Sequence, residues 1–260
     1  MREIIKINNA SYSRYEELLS KRDELCKKAF QYYKAYMREF GALILEVFQI
    51  KIECIKKKKT IEFYQAAINR GDPVDRDALD AFITQEMSEY QRQFEDMIEE
   101  QEAAKQSIVI SETDVLKVKS IYRKIAKLIH PDINPKVNGS EELTDLWNRV
   151  VIAYQCNALK EIQELEVLVN KALETLGIYE IEIDIPDIDS RIDDILQEIH
   201  NIETTEPYTY RILLEDEGLV AEKKESLKLE LEEYTDYSKE LDGVIEGLLS
   251  GGVSIIWQMN

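Results

Sequence analysis

The sequence predicts an all-α fold, and three observations carry that prediction. Of 260 residues, 44% are apolar and 33% charged; glycine and proline number only nine and five; and apolar residues recur three or four apart over stretches much longer than a strand. A chain of this length and apolar content can bury one large core or several small ones. The expected architecture is long helical hairpins and coiled-coil arms flanking a shorter helix-loop-helix.

The first helix is predicted from about Ser11 to Asn69. Tyr15, Leu18, Leu19, Leu25, Cys26, Phe30, Tyr33, Met37, Phe40, Ile44 and Val47 form its apolar stripe, with a possible bend at Gly41. "NRGDPVD" ends it: Gly71 can turn left-handed, Pro73 cannot continue a helix, and Asp75 can cap the next one. That second helix should span Arg76 to Lys105 and pack antiparallel on the first. At 1.5 Å per residue the two would measure roughly 85 and 45 Å, so the segment near residues 11–40 needs another partner. The C-terminal helices or a second copy of the chain could supply it.

"SETD" reads as a capping box opening a helix from Thr113 to Ile129, with Ser111 as cap and Asp114 at the third position. Ser140 should cap a further helix that runs to Leu176 and stops at Gly177, the part beyond Asn157 forming a coiled-coil arm. "IYEIEIDIPDID" alternates isoleucine with acid around Pro186 and reads as a connector or short edge strand marking a boundary. Helices are expected again over Ser190–Ile202 and Pro207–Leu249, interrupted near Gly218. Ile255, Ile256 and Trp257 should dock on a helical groove. The predicted regions are 1–110, a long hairpin; 111–176, the central helix-loop-helix with an extended last helix; and 177–260, an acidic helical region.

Net charge is −19, with the acid concentrated beyond residue 166. Such a surface repels phosphate backbones, so nucleic acid is not an expected partner. The run Lys56 to Lys59 lies in a helix whose hairpin partner is acidic, and a solvated or neutralised face is the simpler reading. Cys26, Cys54 and Cys156 are odd in number and fall within helical patterns, as reduced core or near-core thiols of a cytoplasmic protein would. Glu46 breaks the longest apolar run and the N-terminal stretch lacks a signal-peptide core, so no membrane association is expected. His200 has no second histidine or cysteine at ligand spacing. Adjacent carboxylates such as Glu99 with Glu100 and Asp193 with Asp194 diverge on a helix. With no Gly-rich loop or nucleophile motif, neither enzymatic activity nor a cofactor is expected.

The stretch "LIHPDINP" differs from the rest. The helix before it has an apolar face of Val115, Val118, Ile121, Tyr122, Ile125, Leu128 and Ile129, and carries Lys117, Lys119, Arg123, Lys124 and Lys127 against one acid, Asp114. Pro131 forces His130 out of the helix and stiffens the corner that displays Asp132. A carboxylate held there, beside a row of cations, can accept a charge-assisted bond from a partner's arginine while the basic face meets an acidic surface. That arrangement suits recognition better than catalysis.

"YRKIAKLIHPDINP", followed by "LWNRVVIAY", resembles helix two, the loop and helix three of a J domain, the DnaJ-like family, over roughly residues 111–160. The resemblance implies that a DnaK-type heat-shock chaperone is contacted through Lys119, Tyr122, Arg123, Lys124, His130, Pro131, Asp132 and Asn134. It also implies that Ile121, Ile125, Ile129, Trp147, Val150 and Tyr154 hold the hairpin together. Three departures stand out. The family's first helix is not found before Ser111, which leaves the apolar stripe of helix two to be covered by something else, the helix 76–105 being the candidate. Ile129 and Ile133 replace the usual aromatic and basic residues flanking the tripeptide. There is no Gly/Phe-rich linker or CxxC repeat. The expected function is a co-chaperone or adaptor whose helical arms choose an unknown client and could form a homo-oligomer. The alternative is a structural coiled-coil protein in which the hairpin is only a junction.

Overall fold

The computed structural model describes residues 9–105, 111–134, 137, 139–177, 187–250 and 255–256. All-α is what it contains, apart from two strands of two residues each. Among the described residues no helix is long and apolar enough to cross a membrane. The readings of residues 178–186 as a connector and of Trp257 as a docking residue lie outside the described residues.

The chain forms two compact units, each discontinuous in sequence: residues 1–33 with 107–211, and residues 34–106 with 212–260. The long first helix therefore contributes to both.

In the second unit, α1 (Asn9–Arg70) and α2 (Arg76–Lys105) form the expected antiparallel hairpin. Gly71 at φ +74 donates to the Ile68 carbonyl, Asp72 N–H reaches Ala67 O, and Asp75 Oδ1 accepts from the amides of Asp77 and Ala78 at 2.9 and 3.3 Å. A left-handed glycine closes one helix and an Asx cap opens the next. Tyr64 and Ala67 pack with Leu79, Ile83 and Met87. Gly41 does not break the helix. An added Cβ there would lie 2.9 Å from Gln101 Cγ, so the glycine's role is close approach to α2.

After α7 (Tyr210–Leu214), α8 (Glu217–Ser250) packs on α1, with Leu227 against Phe40 and Val47. Lys57 donates to Ser238 Oγ and Asp242 Oδ2, both at 2.7 Å, and Lys59 pairs with Glu86 of α2 at 3.0 Å. The lysine run is thus neutralised in part within its own unit. A parallel ladder joins β1 (Val74–Asp75) to β2 (Ile255–Ile256) by Val74 opposite Ile255.

The first unit holds α3 (Glu112–Ile129), α4 (Glu141–Gln155), α5 (Leu159–Thr175), α6 (Ile188–Thr204) and the N-terminal part of α1. Ser111 and Ser140 cap α3 and α4 through the amides of Asp114 and Leu143. The single helix expected from Ser140 to Leu176 is two. Asn157 sits at φ +55, its amide donating to Tyr154 O and that of Ala158 to Ala153 O, a left-handed C-cap built on asparagine instead of glycine. The chain reverses there, so α5 is no coiled-coil arm but folds back on α3.

That reversal answers what covers α3. Val118, Ile121, Ile125 and Ile129 share one core with Leu143, Trp147, Val150 and Tyr154 of α4 and with Ile162, Leu165 and Val169 of α5. The cover is α4 and α5 rather than α2, whose own apolar face is filled in the second unit. A second apolar cluster gathers Tyr15, Leu19 and Leu25 of α1 with Ile192, Ile195 and Ile199 of α6. Cys54 is buried and Cys26 half-buried, but Cys156, just after α4, is exposed, against the expectation for a core thiol.

Candidate functional site at the corner between α3 and α4

The corner is built by proline chemistry and one histidine. His130 leaves α3 at φ −64, ψ 126, as a residue before proline must, while its amide still donates to Ala126 O. Its carbonyl accepts from the amides of Ile133 and Asn134 at 3.0 and 2.8 Å, closing the turn. Asn134 Nδ2 donates to Leu128 O at 3.0 Å, which ties the far side of the corner back to the helix.

Of the residues expected to face a partner, three are buried: Tyr122, His130 and Asn134. His130 is only 3% exposed and lies edge-on to Trp147, with ring centroids 4.6 Å apart. Pro131 is half-buried, and the Asp132 side chain keeps 40% of its surface. Lys119, Arg123 and Lys124 line the outer face of α3. Lys119 pairs with Glu24 at 2.6 Å, Lys124 reaches Glu166 of α5 at 3.5 Å, and Arg123 is exposed.

What the sequence did not single out is the role of α1. Arg22 engages the corner with its whole guanidinium. Nη1 donates to Asp132 Oδ2 at 3.1 Å and to Glu198 of α6 at 3.2 Å, Nε and Nη2 both reach Asp23 Oδ1, and Nη2 stands 3.2 Å from His130 Nε2. Asp23 Oδ2 accepts the Tyr122 hydroxyl at 2.8 Å. Glu16 pairs with Lys127 at 2.8 Å. Ile133, 3% exposed, enters the apolar cluster between α1 and α6. No local signal marks Arg22 and Asp23, whose partners Tyr122, His130 and Asp132 are 99 to 110 residues away along the chain; their charges look like any others on a solvated helix face.

The electrostatics follow from burial. His130 Nδ1 accepts the Asp132 amide at 3.0 Å, and Nε2 faces the Arg22 guanidinium, so both ring nitrogens meet N–H donors. A neutral imidazole can accept at one of them; an imidazolium could accept at neither. Burial pushes the His130 pKa down, the neighbouring carboxylates of Asp23 and Asp132 oppose this, and Arg22 adds to the lowering. Burial likewise pushes the Tyr122 phenol well up, with the Asp23 carboxylate acting in the same direction. Burial would lower the Arg22 pKa, but Asp23 and Asp132 outweigh it and raise it. Lys27, over the Tyr154 ring at 4.0 Å, is lowered to about 8 by burial and by Lys119.

A depressed histidine pKa has a defined consequence for stability. The unfolded imidazole titrates near 6.5, so below that pH the unfolded state binds the proton more readily than the native state does. The contribution of His130 is complete above about 6.5 and is lost as pH falls through its lower native value. We expect the urea midpoint of the wild type to drop between roughly pH 7 and pH 5, with a smaller drop in His130→Gln. Equal drops in the two proteins would refute the buried, neutral assignment.

The site is an assembly of donors and acceptors around a rigid corner, suited to binding. Among the described residues no three histidine, cysteine, aspartate or glutamate side chains gather as metal ligands. No family model, curated protein or solved structure matches the chain.

Proposed function

We propose that this chain is a J-domain-like co-chaperone or adaptor that engages a DnaK-type heat-shock chaperone through the His130–Pro131–Asp132 corner and the basic face of α3. The observation that carries the reading is the Arg22–Asp132 pair. Held at a proline-stiffened turn, the Asp132 carboxylate accepts a charge-assisted bond from a guanidinium at 3.1 Å, the chemistry expected of this corner toward a partner's arginine. Further support comes from the residues that the J-domain resemblance assigns to the hairpin. Ile121, Ile125, Ile129, Trp147, Val150 and Tyr154 do share one core. Ile133, in place of the family's usual basic residue, has its physical reason in the α1–α6 cluster that it completes. ATP hydrolysis would be the partner's chemistry; the arms of the chain would select the client.

A second reading is favoured by the same pair. Because the arginine belongs to this chain, the corner could be a fixed structural junction of a helical interaction protein. Single-turnover ATP hydrolysis by the host's own DnaK-type chaperone separates the two. The co-chaperone reading expects stimulation by the wild type and loss of it with His130→Gln and with Asp132→Asn. Folded wild type that gives no stimulation at any concentration, in a form with α1 released as well as in the native form, would favour the junction.

A further inference from the structure

We infer that the N-terminal part of α1 is an intramolecular clamp that occupies the chaperone-facing corner, so that partner binding requires α1 to leave α3. The inference rests on the co-chaperone reading and adds its regulation. It follows from how unequally α1 is attached. Toward α3 and its corner the ion pairs and hydrogen bonds join Glu16 to Lys127, Asp23 to Tyr122, Glu24 to Lys119 and Arg22 to Asp132, and Ile133 of the corner adds an apolar contact with Leu19 and Leu25. Between the two helices a groove remains open, lined by Glu16, Leu19, Ser20, Asp23, Arg123 and Ala126. Toward α6 an apolar seam of Tyr15, Leu19 and Leu25 against Ile192, Ile195 and Ile199 is added to the ion pairs Arg22–Glu198 and Lys21–Glu203.

The core under α3 contains no α1 residue; α4 and α5 complete it. α1 can therefore lift from α3 with α6 still attached, and the hairpin keeps its packing. Exposed ion pairs hold such a contact weakly, because water and salt compete for both partners. Three side chains fasten the clamp more firmly, the half-buried Arg22 guanidinium, the Asp23 carboxylate on the buried Tyr122 hydroxyl, and the buried Ile133. While they are in place, His130 is nearly inaccessible and Asp132 already has its arginine. A partner with a guanidinium and an acidic surface would replace Arg22 on Asp132, and Glu16 and Glu24 on the lysines. Only the fraction of molecules with α1 lifted is competent, and the apparent affinity falls by that fraction.

The test uses the full chain as wild type, Arg22→Gln and Ile133→Lys, the second substitution keeping the test open should the first fail to fold. Hydrogen exchange over residues 130–134 reads the clamp, and affinity for the host's DnaK-type chaperone reads the function. Expected are faster exchange in both variants with α3–α5 protection retained, and binding at least about tenfold tighter than wild type. Unchanged exchange in two folded variants would overturn the clamp. Faster exchange with wild-type affinity would overturn its gating role. If exchange quickens but neither wild type nor variants bind the chaperone, the co-chaperone reading fails and α1 is a structural strut.

Discussion

Trp147→Ala is expected to cost the first unit about 3–5 kcal/mol, the range for truncating a large aromatic in a packed core. Trp147 is 8% exposed, lies 5.7 Å from the Tyr122 ring between centroids, and supports His130 from below. Removing the indole empties space beneath both the corner and the α3–α4 contact, and nearby Tyr154, already stacked on Tyr122 at 3.9 Å, is held by its own neighbours and cannot fill it. Urea unfolding followed by the protection of α3–α5 amides measures the effect. A loss below about 1 kcal/mol would mean that Trp147 is a surface residue in solution and that the hairpin core is misassigned.

Asp23→Ala carries the second large effect. The substitution removes the acceptor of the buried Tyr122 hydroxyl and one of the two carboxylates that stand 3.1 Å from the Arg22 guanidinium. A stranded buried hydroxyl costs roughly 1–3 kcal/mol, while replacing both members of a pair by apolar groups of similar shape can be nearly neutral. Asp23→Ala should therefore destabilise more than Tyr122→Phe, and the double variant should recover part of the loss. Strict additivity in the cycle would show that the two residues do not interact.

Most helix bounds were legible because their causes are local. Gly71, Pro73 and Asp75 end α1 and start α2 within a few residues, and Ser111 and Ser140 announce α3 and α4. The break at Asn157 was not, since "YQCNALKEI" holds neither glycine nor proline and its apolar spacing continues as if helical. Read without that break, α5 continues α4 as a coiled-coil arm and α3 lacks the cover that the reversal supplies. Gly41 misled in the other direction: a residue with no side chain suggests a bend, yet here it makes room for Gln101.

The candidate site divides the same way. The His130–Pro131–Asp132 corner could be read from the chain because Pro131 acts on its immediate neighbour. Its occupation by Arg22 could not, since helical periodicity says which face a residue is on and nothing about which distant carboxylate meets it. Ile133 was visible as an anomaly beside the tripeptide, and only the packing of α1 against α6 gives that anomaly a cause.

If one corner serves both Arg22 and a chaperone, single-turnover ATP hydrolysis by the host's DnaK-type chaperone must distinguish Arg22→Gln from Arg22→Gln/Asp132→Asn. Stimulation above wild type is expected for the first and its loss in the second, because the carboxylate that Arg22 vacates is the one the partner needs. Equal stimulation by both, or none by either, would contradict it.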